Sequence, residues 1–153
     1  MPNSLVGYNN TDAAYEYKVI EPVVGGAGPD ATQIRKAYWN ETGSTILVNT
    51  LVTHSTGTAQ GVGNSIQATT TTVGSSKVGV LTEETLDDNW GTVVTKGPVT
   101  VLAQGSISAG ETVSVSGTTA GKVEMLTVTA TAAGAIGHAI ADAAAGVVLI
   151  ELY

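Results

Sequence analysis

The chain has 153 residues, 13 acidic against six basic side chains and no cysteine, giving a formal net charge of −7. That is enough length for one well-cored domain. It excludes a disulfide framework, a thiolate nucleophile and the common zinc sites, and it leaves no basic footprint for free nucleic acid beyond Arg35-Lys36. Only 12% of residues are charged, about half the usual share, while 42% are hydrophobic. Low charge of this kind implies a surface that is largely covered by neighbours.

The first ten residues, MPNSLVGYNN, lack the basic region and apolar core of a signal peptide, so the expectation is a chain without a secretory leader. No apolar run approaches the roughly 20 residues of a membrane span, and no membrane partner is expected. Residues 1–30 read as an extended N-terminal arm, punctuated at Asn9-Asn10-Thr11 and Gly25-Gly26-Ala27-Gly28-Pro29, with one strand at Tyr15–Ile20. The alternative for that strand is closure of the chain's own sheet. Five of the seven large aromatics, Tyr8, Tyr15, Tyr17, Tyr38 and Trp39, fall in the first 39 residues; with Trp90 they are the candidate interface residues.

Residues 31–153 read as a single β domain. Gln33–Asn40 and Thr45–Thr53 flank the short loop Glu41-Thr42-Gly43-Ser44, which signals a hairpin. Ser55–Ser76 is rich in Gly, Thr and Ser; Thr69–Thr72 suits a strand, with nothing to pin its register. Lys77–Leu81 is a strand, Glu83–Asn89 a polar turn and Trp90–Thr95 a second strand. From Trp90 to Ser116, β-branched runs alternate with glycines at 91, 97, 105 and 110, a pattern predicting two or three strands folded back at glycine turns.

Further on, Lys122–Met125 alternates, and Leu126, Val128 and Ala130 continue in the opposite phase, which implies a bulge near Met125-Leu126 or burial on both faces. Ala132–Ala145 is alanine-rich, but Gly134 and Gly137 each cost a helix about 1 kcal/mol, so a strand ending near Ile140 and a short helical turn at Asp142–Ala145 are predicted. Val78-Gly79-Val80-Leu81 before Gly91, and Ile136-Gly137-His138-Ala139 before Gly146, form a loose internal echo with unequal spacing. The fold class is therefore all-β, a β-sandwich or small barrel of short antiparallel strands.

Few residues suit catalysis. His54 beside Ser55 is a general-base candidate, but no GxSxG elbow accompanies it, and a solvated loop histidine is the ordinary reading. His138 reads as a strand residue with a satisfied ring nitrogen. Glu83, Glu84, Asp87 and Asp88 form the main acidic cluster; its spacing is not that of an EF-hand, so a solvated turn is preferred to a Ca²⁺ site. Gly61-Val62-Gly63-Asn64-Ser65 lacks the third glycine of a dinucleotide loop. Asn9-Asn10-Thr11 and Asn40-Glu41-Thr42 match the glycosylation pattern, which carries little weight without a secretion signal. Trp39 and Trp90 suit stacking on a sugar or base, or anchoring a core or interface. No catalytic residue, cofactor or metal is assigned.

Trp90–Pro98, Ile107–Val113, and Ile136-Gly137-His138-Ala139 with Ala143-Ala144-Ala145-Gly146 together resemble the small β-rich decoration (cement) proteins of tailed-phage heads and a related phage structural family. The resemblance covers about Val78 to Tyr153. It implies a non-enzymatic virion protein on the capsid exterior, made in the host bacterial cytoplasm. There it would form a homo-oligomer, a trimer at local three-fold positions, and bridge subunits of the major capsid protein. A tail or baseplate β module, and a carbohydrate- or cell-surface-binding β domain using Trp39 or Trp90, are the alternatives.

Overall fold

β-Branched residues, threonine among them, build several of the strands, as in NWGTVVTKGPVTVL, TVSV and VVLIEL. A computed structural model describes residues 4–9, 14–21, 31–70, 77–127 and 134–153, of which 4–9, 14–21 and 31 are described by backbone alone. These residues form eleven strands and no α-helix: β1 (Ser4–Asn9), β2 (Ala14–Glu21), β3 (Ala31–Asn40), β4 (Leu51–His54), β5 (Ser65–Ala68), β6 (Gly79–Leu81), β7 (Asn89–Leu102), β8 (Thr112–Val115), β9 (Val123–Met125), β10 (Ala135–Ala139) and β11 (Val147–Leu152). The fold is all-β. Tyr15–Ile20 lies within β2, which pairs antiparallel with β3 and on its other edge with β1. The predicted Gly25–Pro29 punctuation lies outside the described residues.

The pairings close into two rings. In the first unit, β3 pairs parallel with β5, β5 with β4, β4 with β6 and β6 with β7, and β7 returns to β3. In the second, the far half of β7 pairs with β11, then β10, β8 and β9 follow. A parallel bridge from Val123 to Ala103, just past β7, closes that ring, with Gln104 N donating to Val123 O at 2.7 Å. Both units thus share one strand order, and β7 serves as the last strand of one and the first of the other.

Registers show that the two units are copies of one design. Gly79 stands opposite Val52 of β4 as Gly137 stands opposite Val113 of β8. Asn49 N donates to Leu81 O at 2.8 Å, and Gly110 N to Ala139 O at 2.8 Å. Ser55 N to Ser65 O and Ser116 N to Lys122 O are both 2.9 Å. The left-handed residues also correspond: Asn49 (φ 65°) with Gly110 (φ 87°), and Asp88 (φ 56°) with Ala145 (φ 53°). The predicted echo is therefore real at Gly79 and Gly137. Its other half is corrected: Val93 opposite Leu81 matches Ile150 opposite Ala139, so Trp90 corresponds to Val147, and Gly91 and Gly146 are not equivalent.

The structure overturns the expected turns at Gly91 and Gly97, because β7 runs unbroken through both. Gly91 is a close-packing position, where a Cβ would lie 2.3 Å from Thr85 Oγ1. Near Gly97 the strand bends instead. Opposite consecutive residues Arg35 and Ile34 of β3 stand Val94 and Lys96, so Thr95 is the extra residue of a bulge, and Gly97 follows with φ 102°. Of these four glycines, Gly105 and Gly110 alone lie at bends or turns between strands.

The β3–β4 hairpin is overturned too, since β3 pairs with β2, β5 and β7. Ile46 leaves the run to bridge Thr85, and the left-handed Asn49 delays β4 until Leu51. The strand of the Thr-rich stretch is β5, before the predicted Thr69–Thr72, whose last two residues are outside the described set. β9 ends at Met125, where the alternation slips, although Leu126 N still donates to Thr112 O; Val128 and Ala130 are not described. No helical turn forms at Asp142–Ala145: Ala144 bridges Val147 across a turn that left-handed Ala145 closes.

Two apolar clusters fill the rings. Tyr38, Ile46, Val52, Ile66, Val78, Leu81 and Val93 fill the first unit. The second unit's core, including Val101, Val113, Val123 and Ile150, takes in Leu51, Val80 and Val94 from the first. Backbone bonds cross the same junction, from Leu51 N to Gly121 O and from Leu102 N to Asn49 O. The junction is a core, not a linker.

Candidate interaction surface

Strand alternation decides where each expected interface residue lies. Tyr8 and Tyr15 stand opposite each other between β1 and β2, and Tyr17 is opposite Arg35 of β3. Tyr38 points into the first ring and is buried, with the His54 ring edge-on at 5.8 Å and the Lys36 ammonium 5.6 Å from its centroid. Its neighbour Trp39 therefore faces outward, directly opposite Trp90. Their rings meet edge to face at 5.4 Å and 69°, and both are half-buried. Trp39 Nε1 and Ser65 Oγ, on residues that pair directly across β3 and β5, are buried without a hydrogen-bond partner among the described residues.

This edge-to-face pair is packed as a cross-strand anchor. Trp90→Ala is expected to lower stability by about 2 kcal/mol, less than for a fully buried tryptophan, as read from the urea midpoint. Unchanged stability would instead make the pair a free surface for a ligand.

Several of the candidates for chemistry serve local structure. His54 is exposed at the end of β4, while Ser55 Oγ accepts from Gly57 N. His138 Nδ1 and Tyr153 Oη are 3.3 Å apart. In the acidic loop, Glu83 Oε1 accepts from Thr92 N and Asp87 Oδ1 from Gly43 N, so two of the four carboxylates cap backbone. Burial holds the Lys77 ammonium below its usual pKa, and its Nζ donates to Tyr153 O at 2.6 Å. A cleft of about 530 Å³ opens at the junction beside Leu47, Thr50, Thr69 and Leu102; no ionisable side chain lines it among the described residues.

Sequence reasoning missed the most exposed apolar group near that cleft. Leu47, Val48 and Leu86 are 58%, 43% and 57% exposed. Ile46-Leu47-Val48 reads as the middle of a strand, which hides Leu47 and Val48. The signal for the turn was Asn49, one of the residues that tolerates left-handed backbone.

No protein-family model and no curated protein matches this sequence. The fold does match a solved structure, the N base of head fiber gp8.5 in bacteriophage phi29, with a TM-score of 0.56 and 14% identity over 79% of this chain and 94% of that one. The two chains share a fold.

Proposed function

We propose that this protein is a non-enzymatic structural component of a tailed-phage virion, which decorates the outside of the head and braces subunits of the major capsid protein. The observation that carries this reading is the fold shared with the phi29 head fiber base over nearly the whole of that chain. The resemblance of Val78–Tyr153 to head decoration proteins points the same way, and it is the source of the trimeric state and of the three-fold placement. Low charge suits a protein whose faces are covered in an assembly.

The test is the copy number of this chain, relative to the major shell protein, in gradient-purified particles from its source. A ratio near one, or a simple fraction of it, is the expected result and fits a lattice position. A few per cent would move the protein to the tail, the baseplate or a single vertex. Absence from particles would overturn the virion reading and return attention to a cell-surface-binding module.

A further inference from the structure

Two copies of one fold in a single chain allow an internal control that a lone domain lacks. Positions that the fold needs should be apolar in both units; a position apolar and exposed in one alone serves something else. Leu47 and Val48 correspond to Ser108 and Ala109, which are also exposed. The correspondence rests on the turn that follows, closed by Thr50 N to Leu47 O in one unit and by Glu111 N to Ser108 O in the other. In the Leu86 loop, Thr85-Leu86-Asp87-Asp88 is matched by the shorter Ala143-Ala144-Ala145, again exposed at Ala144. The second unit folds with Ser, Ala and Ala where the first has Leu, Val and Leu.

Leu47 and Leu86 fall on one spot. Ile46 and Thr85 bond to each other in both directions at 2.9 Å, and both are buried. Residues that follow an antiparallel pair turn to its opposite face, so Leu47 and Leu86 lie diagonally on the outward side, within side-chain reach. Glu83, Glu84 and Asp88, all exposed, flank Leu86 along the chain, where the second unit has Ala141, Asp142 and Ala145. An apolar centre with a carboxylate rim is thus confined to the first unit.

We propose that this spot is the contact face of the protein, and that its occupant is a partner protein surface with an apolar centre and a Lys/Arg rim. Charge complementarity selects that occupant over a second copy. The chain has six basic residues and a net charge of −7, so face-to-face self-pairing sets one acidic rim against another. Resting on the reading above, the partner is the outer surface of the head.

The test uses purified full-length chain and heads of the source phage assembled without it, with co-sedimentation at low and high salt. Wild type should bind, more weakly at high salt. Leu47→Ser/Leu86→Ser should weaken binding by about tenfold or more at unchanged melting temperature. Ala109→Ser/Ala144→Ser, at the second-unit positions that match Val48 and Leu86, should bind as wild type. Equal binding by the leucine variant, or equal loss by the second-unit control, overturns this face while leaving the head reading intact. A wild-type chain that ignores heads overturns both. Wild-type self-association that the leucine variant abolishes would assign the face to a second copy and overturn the basic-rimmed occupant.

Discussion

Alanine at Gly79 is expected to destabilise the protein by about 3 kcal/mol or more, an unusually large effect for one added methyl group. A Cβ there would lie 2.1 Å from the carbonyl oxygen of Val94 and 2.7 Å from Val93 Cγ1. The backbone cannot retreat, because β6 is held by β4 on one edge and β7 on the other. A glycine inside a strand commonly marks such a close backbone approach. Its counterpart makes the prediction double: a Cβ on Gly137 would lie 2.4 Å from Glu151 O, the equivalent carbonyl. Both substitutions should lower the denaturant midpoint by similar amounts. Gly134→Ala, whose Cβ would have ordinary contacts at 3.8 and 4.0 Å, should shift it by less than about 1 kcal/mol. A near-neutral Gly79→Ala would refute the register of β6 against β7.

Leu51→Ala should cost about 3 kcal/mol and lower the stability of both units together. Leu51 belongs to the first unit by its strand, yet its fully buried side chain sits in the core of the second. With β7 shared and backbone bonds crossing the junction, neither ring can open without exposing the other's core. A single cooperative transition follows. Both tryptophans lie in the first unit, so fluorescence reports that unit, while circular dichroism reports all the strands. The two melting curves should coincide in wild type and remain coincident, at lower temperature, in Leu51→Ala. Separate transitions would show that the units fold independently.

The all-β class and several strands were legible because β-branched residues and turn residues write them locally, as at Val78–Leu81 and around Gly105 and Gly110. The continuity of β7 was not. Gly91 and Gly97 look like turn residues, but one is a packing contact with Thr85 and the other follows a bulge, and both meanings depend on distant chain segments. The duplication was hidden for a related reason. Equivalent left-handed positions hold Asn49 and Gly110, or Asp88 and Ala145, so the backbone shape persists where residue identity does not. The tryptophan pair was legible as two candidate anchors, and only the β3–β7 register brought them together. The Leu47–Leu86 spot required the second unit for comparison, and no single stretch of sequence carries that signal.

The shared strand also has a mechanical consequence. Force applied between the two units runs along the covalent backbone of β7, from its pairing with β3 at residues 89–96 to its pairing with β11 at residues 97–102. A pull along that axis loads the interstrand bonds in shear, so several must yield at once instead of unzipping one by one. The two rings therefore behave as a stiff spacer of set length, able to pass tension across the molecule without first paying out slack.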